Sequence, residues 1–122
     1  MFVLSVGFAQ QVEYTNQVTV KWNAVIPIEP TDIISYQLWT DNDGIVIDGE
    51  TDLLVYTFTF SAEGEYILGV STKREAIFPS FSEIVYSDIN WSIVDVPVGS
   101  TPIPFVVRHI EGIPSPGNLR LQ

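Results

Sequence analysis

Along most of this chain large apolar residues alternate with polar ones, and the period is two. Val18, Val20 and Trp22 point one way, with Thr19 and Lys21 the other. Ile34, Tyr36 and Leu38 repeat the pattern against Ser35 and Gln37. Leu54, Tyr56, Phe58 and Phe60 alternate with Val55, Thr57 and Thr59, and Tyr66, Leu68 and Val70 follow. Alternate residues of a strand share a face, so each run predicts a half-buried strand. Val12 and Tyr14 continue the even-numbered apolar face of Phe2, Leu4, Val6 and Phe8 up to a turn at Asn16-Gln17. Trp39 has the opposite parity to Leu38, which puts it on an outer face or near a strand end. A late strand over residues 84–92 carries Ile84, Tyr86 and Asp88 on one parity and Val85, Ile89 and Trp91 on the other. A bulge near Ser87-Asp88 would reconcile its two faces.

Turn residues punctuate these runs. Pro27 and Pro30 exclude a central strand between Trp22 and Ile34. Asp41-Asn42-Asp43-Gly44 predicts a tight turn, because Asp and Asn tolerate left-handed backbone and Gly favours it. Ile45 to Ile47 reads as a short strand, with a second turn at Asp48-Gly49. Ser61 to Glu65 connects two strands, and Lys73-Arg74-Glu75 reads as a loop tip. No run of ten or more residues has a helical period. About seven short strands separated by turns predict an all-β, antiparallel sandwich.

The character changes at Pro97. Pro97, Pro102, Pro104, Pro114 and Pro116 are five of the eight prolines. They divide the chain into a sandwich over residues 1–96 and a Pro-rich extension over 97–122, either a stiff linker or the start of a following module. Phe105, Val106 and Val107 interrupt the extension as a short strand. At the other end, Phe2, Leu4, Val6 and Phe8 alternate with the smaller Val3, Ser5, Gly7 and Ala9. That alternation reads as a strand. A signal-peptide remnant is the alternative, with Gly7-Phe8-Ala9 as its cleavage site, but there is no basic n-region. Both ends read as interrupted contexts.

Composition narrows the function classes. The 122 residues fit one domain with a core of its own, and 46% are hydrophobic. There is no cysteine, which excludes disulfides, Cys zinc sites and thiol catalysis. Fifteen acidic residues against five basic ones give a formal charge of −10. Such a surface repels phosphate backbones and anionic lipid, so nucleic acid and membrane surfaces are disfavoured as partners. No apolar stretch has the length of a membrane helix.

The order of core residues resembles a fibronectin type III domain, an immunoglobulin-like sandwich. In that family a Leu, a Pro, a small residue and a Tyr stand at alternate positions. Here those places hold Phe60, Ala62, Gly64 and Tyr66. Trp22 matches the family's buried tryptophan, and Ile34, Tyr36 and Leu38 match its third strand. The resemblance covers roughly residues 10–93. Phe60 and Ala62 depart from the common Leu and Pro. The resemblance implies that Trp22, Tyr36, Leu38, Phe60, Tyr66, Leu68 and Val70 form the core. It also implies that the Tyr66 hydroxyl bonds back to the turn before it, as a tyrosine corner. The terminal Pro114 to Leu119 run is similar to the entry into another module of this type. Tandem modules of this kind occur on bacterial surfaces, in secreted polysaccharide hydrolases and in phage tail-tip and fibre proteins. The location implied is a virion or the extracellular surface.

Few residues offer chemistry. Asp41, Asp43 and Asp48, with Glu50 and Asp52, present clustered oxygens of the kind calcium takes, but Gly44 directly after Asp43 breaks the EF-hand spacing. A solvated hairpin is the expected reading, and no metal is assigned. His109, the single histidine, stands in a Pro-rich tail where nothing suggests a packed site, so it predicts a surface linker residue. Trp39 and Trp91, with Tyr14 or Tyr86, offer a stacking platform for sugar rings, against packing as their alternative. Lys73-Arg74-Glu75 sits where the family carries an adhesion loop, but Arg-Gly-Asp is absent. The expectation is a structural or binding module without catalysis or cofactor. Its partners are proteins or neighbouring copies, paired through the apolar terminal segments, or a glycan.

Overall fold

The computed structural model describes residues 10–94, 103–110 and 117–122. Among them it has no helix and nine strands. They are β1 (Gln11–Tyr14), β2 (Gln17–Lys21), β3 (Ile33–Asp41), β4 (Ile45–Thr51), β5 (Val55–Thr59), β6 (Gly64–Ile77), β7 (Ser82–Tyr86), β8 (Asn90–Trp91) and β9 (Phe105–His109). They form an all-β, sandwich-like fold. The larger sheet runs β1-β9-β6-β3-β4, with β7 and β8 also on β6, and β2 pairs with β5 in a second sheet.

β6 is the spine. One edge takes β3 along residues 67–75. The opposite edge takes β9 at 64–66, β8 at 69–70 and β7 at 73–77. β7, β8 and β9 therefore act as one strand interrupted twice. At the first break, Ser87 to Ile89 stand opposite only Ser71 and Thr72, a bulge at the place the mixed parity predicted. Ser87 holds it, since Thr72 N donates to Ser87 Oγ at 2.8 Å and Ser87 N to Thr72 O at 2.9 Å. The second break is the excursion from Ser92 to Phe105.

The core follows the alternation. Leu38, Phe58, Phe60, Leu68 and Val107 are buried together, and Val18, Val20, Trp22, Tyr66 and Val70 pack around them. Complete burial of Phe58, Leu38 and Val107 stabilises the fold by about 1.5–3 kcal/mol each. Aromatic rings step along β5 into β6: Phe58 stacks near Phe60 at 6.3 Å, and Phe60 meets Tyr66 at 4.5 Å. Tyr66 Oη donates to Ala62 O at 2.7 Å, the corner bond expected of that residue. Tyr36 is buried, meets the Trp22 ring edge-on at 5.4 Å, and accepts from Val25 N at 3.0 Å.

Four expectations change. The larger sheet is mixed rather than antiparallel, because β1 pairs in parallel with β9. Lys73-Arg74-Glu75 is no loop tip: it lies inside β6 with strands on both sides. Its charges are matched from neighbouring elements. Lys73 Nζ is 3.3 Å from Glu50, and Arg74 Nε is 2.7 Å from Asp32. Asp48-Gly49 is no turn either, but a bulge within β4, where Leu38 pairs Gly49 and Trp39 pairs Ile47. The Tyr56 hydroxyl covers Gly49 and donates to Asp48 Oδ2 at 2.6 Å, so a side chain at 49 would collide with it. Finally, the sandwich continues past residue 96. Phe105 to His109 form β9, and Val107 is fully buried there. The Met1 to Ala9 strand and Pro97, Pro102, Pro114 and Pro116 lie outside the described residues.

Candidate functional site

Two surfaces hold side chains that strand packing alone does not explain. The first is the outer face of the larger sheet. Register places Ile47, Trp39, Gly69 and Trp91 in one row across β4, β3, β6 and β8. The two tryptophans thus share a face two strands apart, roughly 10 Å by ordinary strand spacing. Trp91 leans onto Gly69: a Cβ at 69 would stand 2.7 Å from Trp91 Cε3 and 2.5 Å from Ile89 Cγ2. Trp39 Nε1 donates to the buried Ser71 Oγ at 2.9 Å, and Ser71 Oγ donates to Gln37 at 3.4 Å. Both indoles are half-buried, so each offers part of a ring to solvent. Tyr86 pairs Lys73 further along the same face and is exposed, whereas Tyr14 lies on β1. Gly69 was not singled out from sequence, although a lone Gly in an alternating strand signals close approach.

The second surface is a cleft of about 300 Å³ between the end of β2 and the β8–β9 edge. Its walls are mainly apolar, with Val20, Trp22, Phe58, Val70, Trp91 and Phe105 among them, and Lys21 and Asn90 add polar groups. The Trp22 indole Nε1 is buried and has no acceptor among the described residues. An unmet buried donor costs about 1–3 kcal/mol. β2 pairs only with β5 among the described residues, so its other backbone edge is open beside this cleft.

The acidic candidates separate. Asp41 Oδ1 accepts from Gly44 N at 3.3 Å, and Asp43 takes the left-handed backbone of the hairpin tip, with φ of 62°. Asp48 instead faces Tyr56. Burial and the Asp48 carboxylate push the Tyr56 phenol up to about 12. Among the described residues no three His, Asp or Glu side chains form a metal-sized group. His109 lies on β9, in a shallow depression with Tyr14, Thr15, Asn16, Arg108 and Ile110. None of those is a carboxylate.

One ion pair was invisible in the sequence. Asp32 accepts from Arg74 Nε and Nη2, and from Ile28 N and Glu29 N at 3.1 and 3.0 Å. The Arg74 bond, then the Glu29 amide, hold its carboxyl below the usual value of 3.8. Asp32 thereby pins the loop between β2 and β3 to the sheet. Around that end Ile26, Ile28, Ile33, Phe78 and Phe81 are exposed. No protein-family model, no curated protein and no solved structure matches this chain.

Proposed function

We propose that this chain is a non-enzymatic structural and binding module of the fibronectin type III kind. It serves as an assembly subunit or spacer of a phage tail tip or fibre, or of a bacterial surface array. In this reading it works in a virion or at a cell surface, without cofactor, and its partners are proteins or neighbouring copies. The open edge of β2 beside an apolar cleft carries the reading, since unpaired strand edges are templates for pairing between chains. The sandwich core and the Tyr66 corner support the family. Absolute mass by light scattering after size exclusion, over a range of concentrations, tests the assembly. A defined oligomer is expected, and a monomer throughout would overturn it.

A second reading has its own observation. Trp39 and Trp91, on one face with Gln37 and Ser71 beside them, suit a carbohydrate-binding module appended to a secreted polysaccharide-degrading enzyme. In that case glycans from a broad panel quench tryptophan emission, and Trp39→Ala abolishes the change. A flat titration across the panel would sink it.

A further inference from the structure

We propose that the cleft beside β2 is an acceptor site for an extended apolar strand, and that its occupant is the Met1 to Ala9 segment of a second copy. The proposal rests on the assembly reading and names its contact. Three features of the site ask for a strand. Among the described residues β2 has no strand on one backbone edge, which a further strand would pair. The cleft next to it is walled by Val20, Trp22, Phe58 and Phe105, which bury apolar side chains of alternate residues. Trp22 Nε1 is a buried donor without an acceptor among the described residues, and the backbone carbonyls of an inserted strand supply acceptors.

The Met1 to Ala9 sequence has the matching form. Phe2, Leu4, Val6 and Phe8 give one bulky apolar face, while Ser5, Gly7 and Ala9 keep the other face small. None of these nine side chains carries charge. That bears on self-association, because two copies at −10 each repel one another, and an uncharged strand joins them where repulsion is least.

Geometry favours a neighbour over the same chain. Gln11 N donates to Pro104 O at 2.9 Å, and Gln11 pairs Phe105, so β1 starts at the cleft's own rim. That rim is level with Val20 to Trp22, where β2 ends. A segment continuing β1 backwards from Gln11 would run past the end of β2 and would have little of its own β2 left to pair. Nine extended residues reach roughly 30 Å. Given to a second copy, the segment can run along the whole of β2.

Two point variants and a peptide test this. Val6→Asp places a charge on the bulky face, and Ser5→Asp places one on the small face. The Val6→Asp chain is expected to fall to monomer mass while its near-ultraviolet circular dichroism stays that of a folded chain. Ser5→Asp is expected to keep the oligomer. A synthetic peptide of the Met1 to Ala9 sequence, added to the Val6→Asp chain, should change tryptophan emission saturably. A flat peptide titration overturns the proposal. An oligomer that survives Val6→Asp also overturns it, while leaving assembly through another surface standing. A full chain that is monomeric fells both readings.

Discussion

Ser92 and Phe105 hydrogen-bond to each other in both directions. Phe105 N donates to Ser92 O at 2.9 Å, and Ser92 Oγ donates to Phe105 O at 2.8 Å. The pair closes the excursion between β8 and β9 and hands the interrupted strand from one to the other. Ser92 also serves the neighbouring strand, since its Oγ accepts from Leu68 N at 3.2 Å. Ser92→Ala therefore strands two backbone groups at once. It is expected to cost about 1–3 kcal/mol, read as a lower urea midpoint with unchanged slope. A chain ending at Ser92 loses Val107 from the core and is expected to lose cooperative unfolding altogether.

Gly69 has no room for a side chain. A methyl group there meets Trp91 and Ile89 at 2.7 and 2.5 Å. Gly69→Ala should cost about 1–3 kcal/mol through overpacking. It should also shift tryptophan emission as Trp91 lifts from the sheet, whereas Gly117→Ala, where a Cβ meets nothing within 4 Å, should do neither.

The Asp32–Arg74 pair predicts an acid dependence. The folded carboxyl titrates below its unfolded value of 3.8. Its contribution is then complete above the unfolded value and fades as pH falls through the lower folded one. Urea midpoints of the natural chain should drop more steeply between about pH 5 and pH 2 than those of Asp32→Asn. Equal slopes would mean the pair does not couple folding to protons.

Tyr56 makes the opposite prediction at high pH. The unfolded phenol ionises near 10, but burial and Asp48 push the folded one up to about 12. Stability from the neutral phenol is present below 10 and is lost as pH climbs from 10 towards 12. Phenolate absorbance should include a late step that is removed by Tyr56→Phe and moved earlier by Asp48→Asn.

The period-two runs made β2, β3, β5 and residues 66–70 of β6 legible, because burial on one face leaves its mark on every second residue. The Tyr66 bond was implied only by the resemblance, and its hydroxyl does reach four residues back to Ala62 O. What stayed hidden depends on distant partners. Lys73 and Arg74 read as a loop because the carboxylates that neutralise them, Glu50 and Asp32, come from other elements. Asp48-Gly49 carries turn residues, and only the Tyr56 ring resting there explains the glycine within a strand. β9 was legible as a short strand, but the prolines around it set it in an extension, and its parallel pairing with β1 leaves no local trace. The row of Trp39, Gly69 and Trp91 required the register of three strands, which alternation alone does not supply.

The parallel pairing of β1 with β9 sets how this protein answers a pull. Gln11 lies beside Phe105 at one pole, and Tyr14 beside Arg108 at the other. The chain thus enters the sandwich at one pole and leaves it at the opposite one. Tension between the two ends drags β1 and β9 along each other lengthwise. Their ladder then bears the load in shear, with its bonds strained together rather than unzipped one at a time.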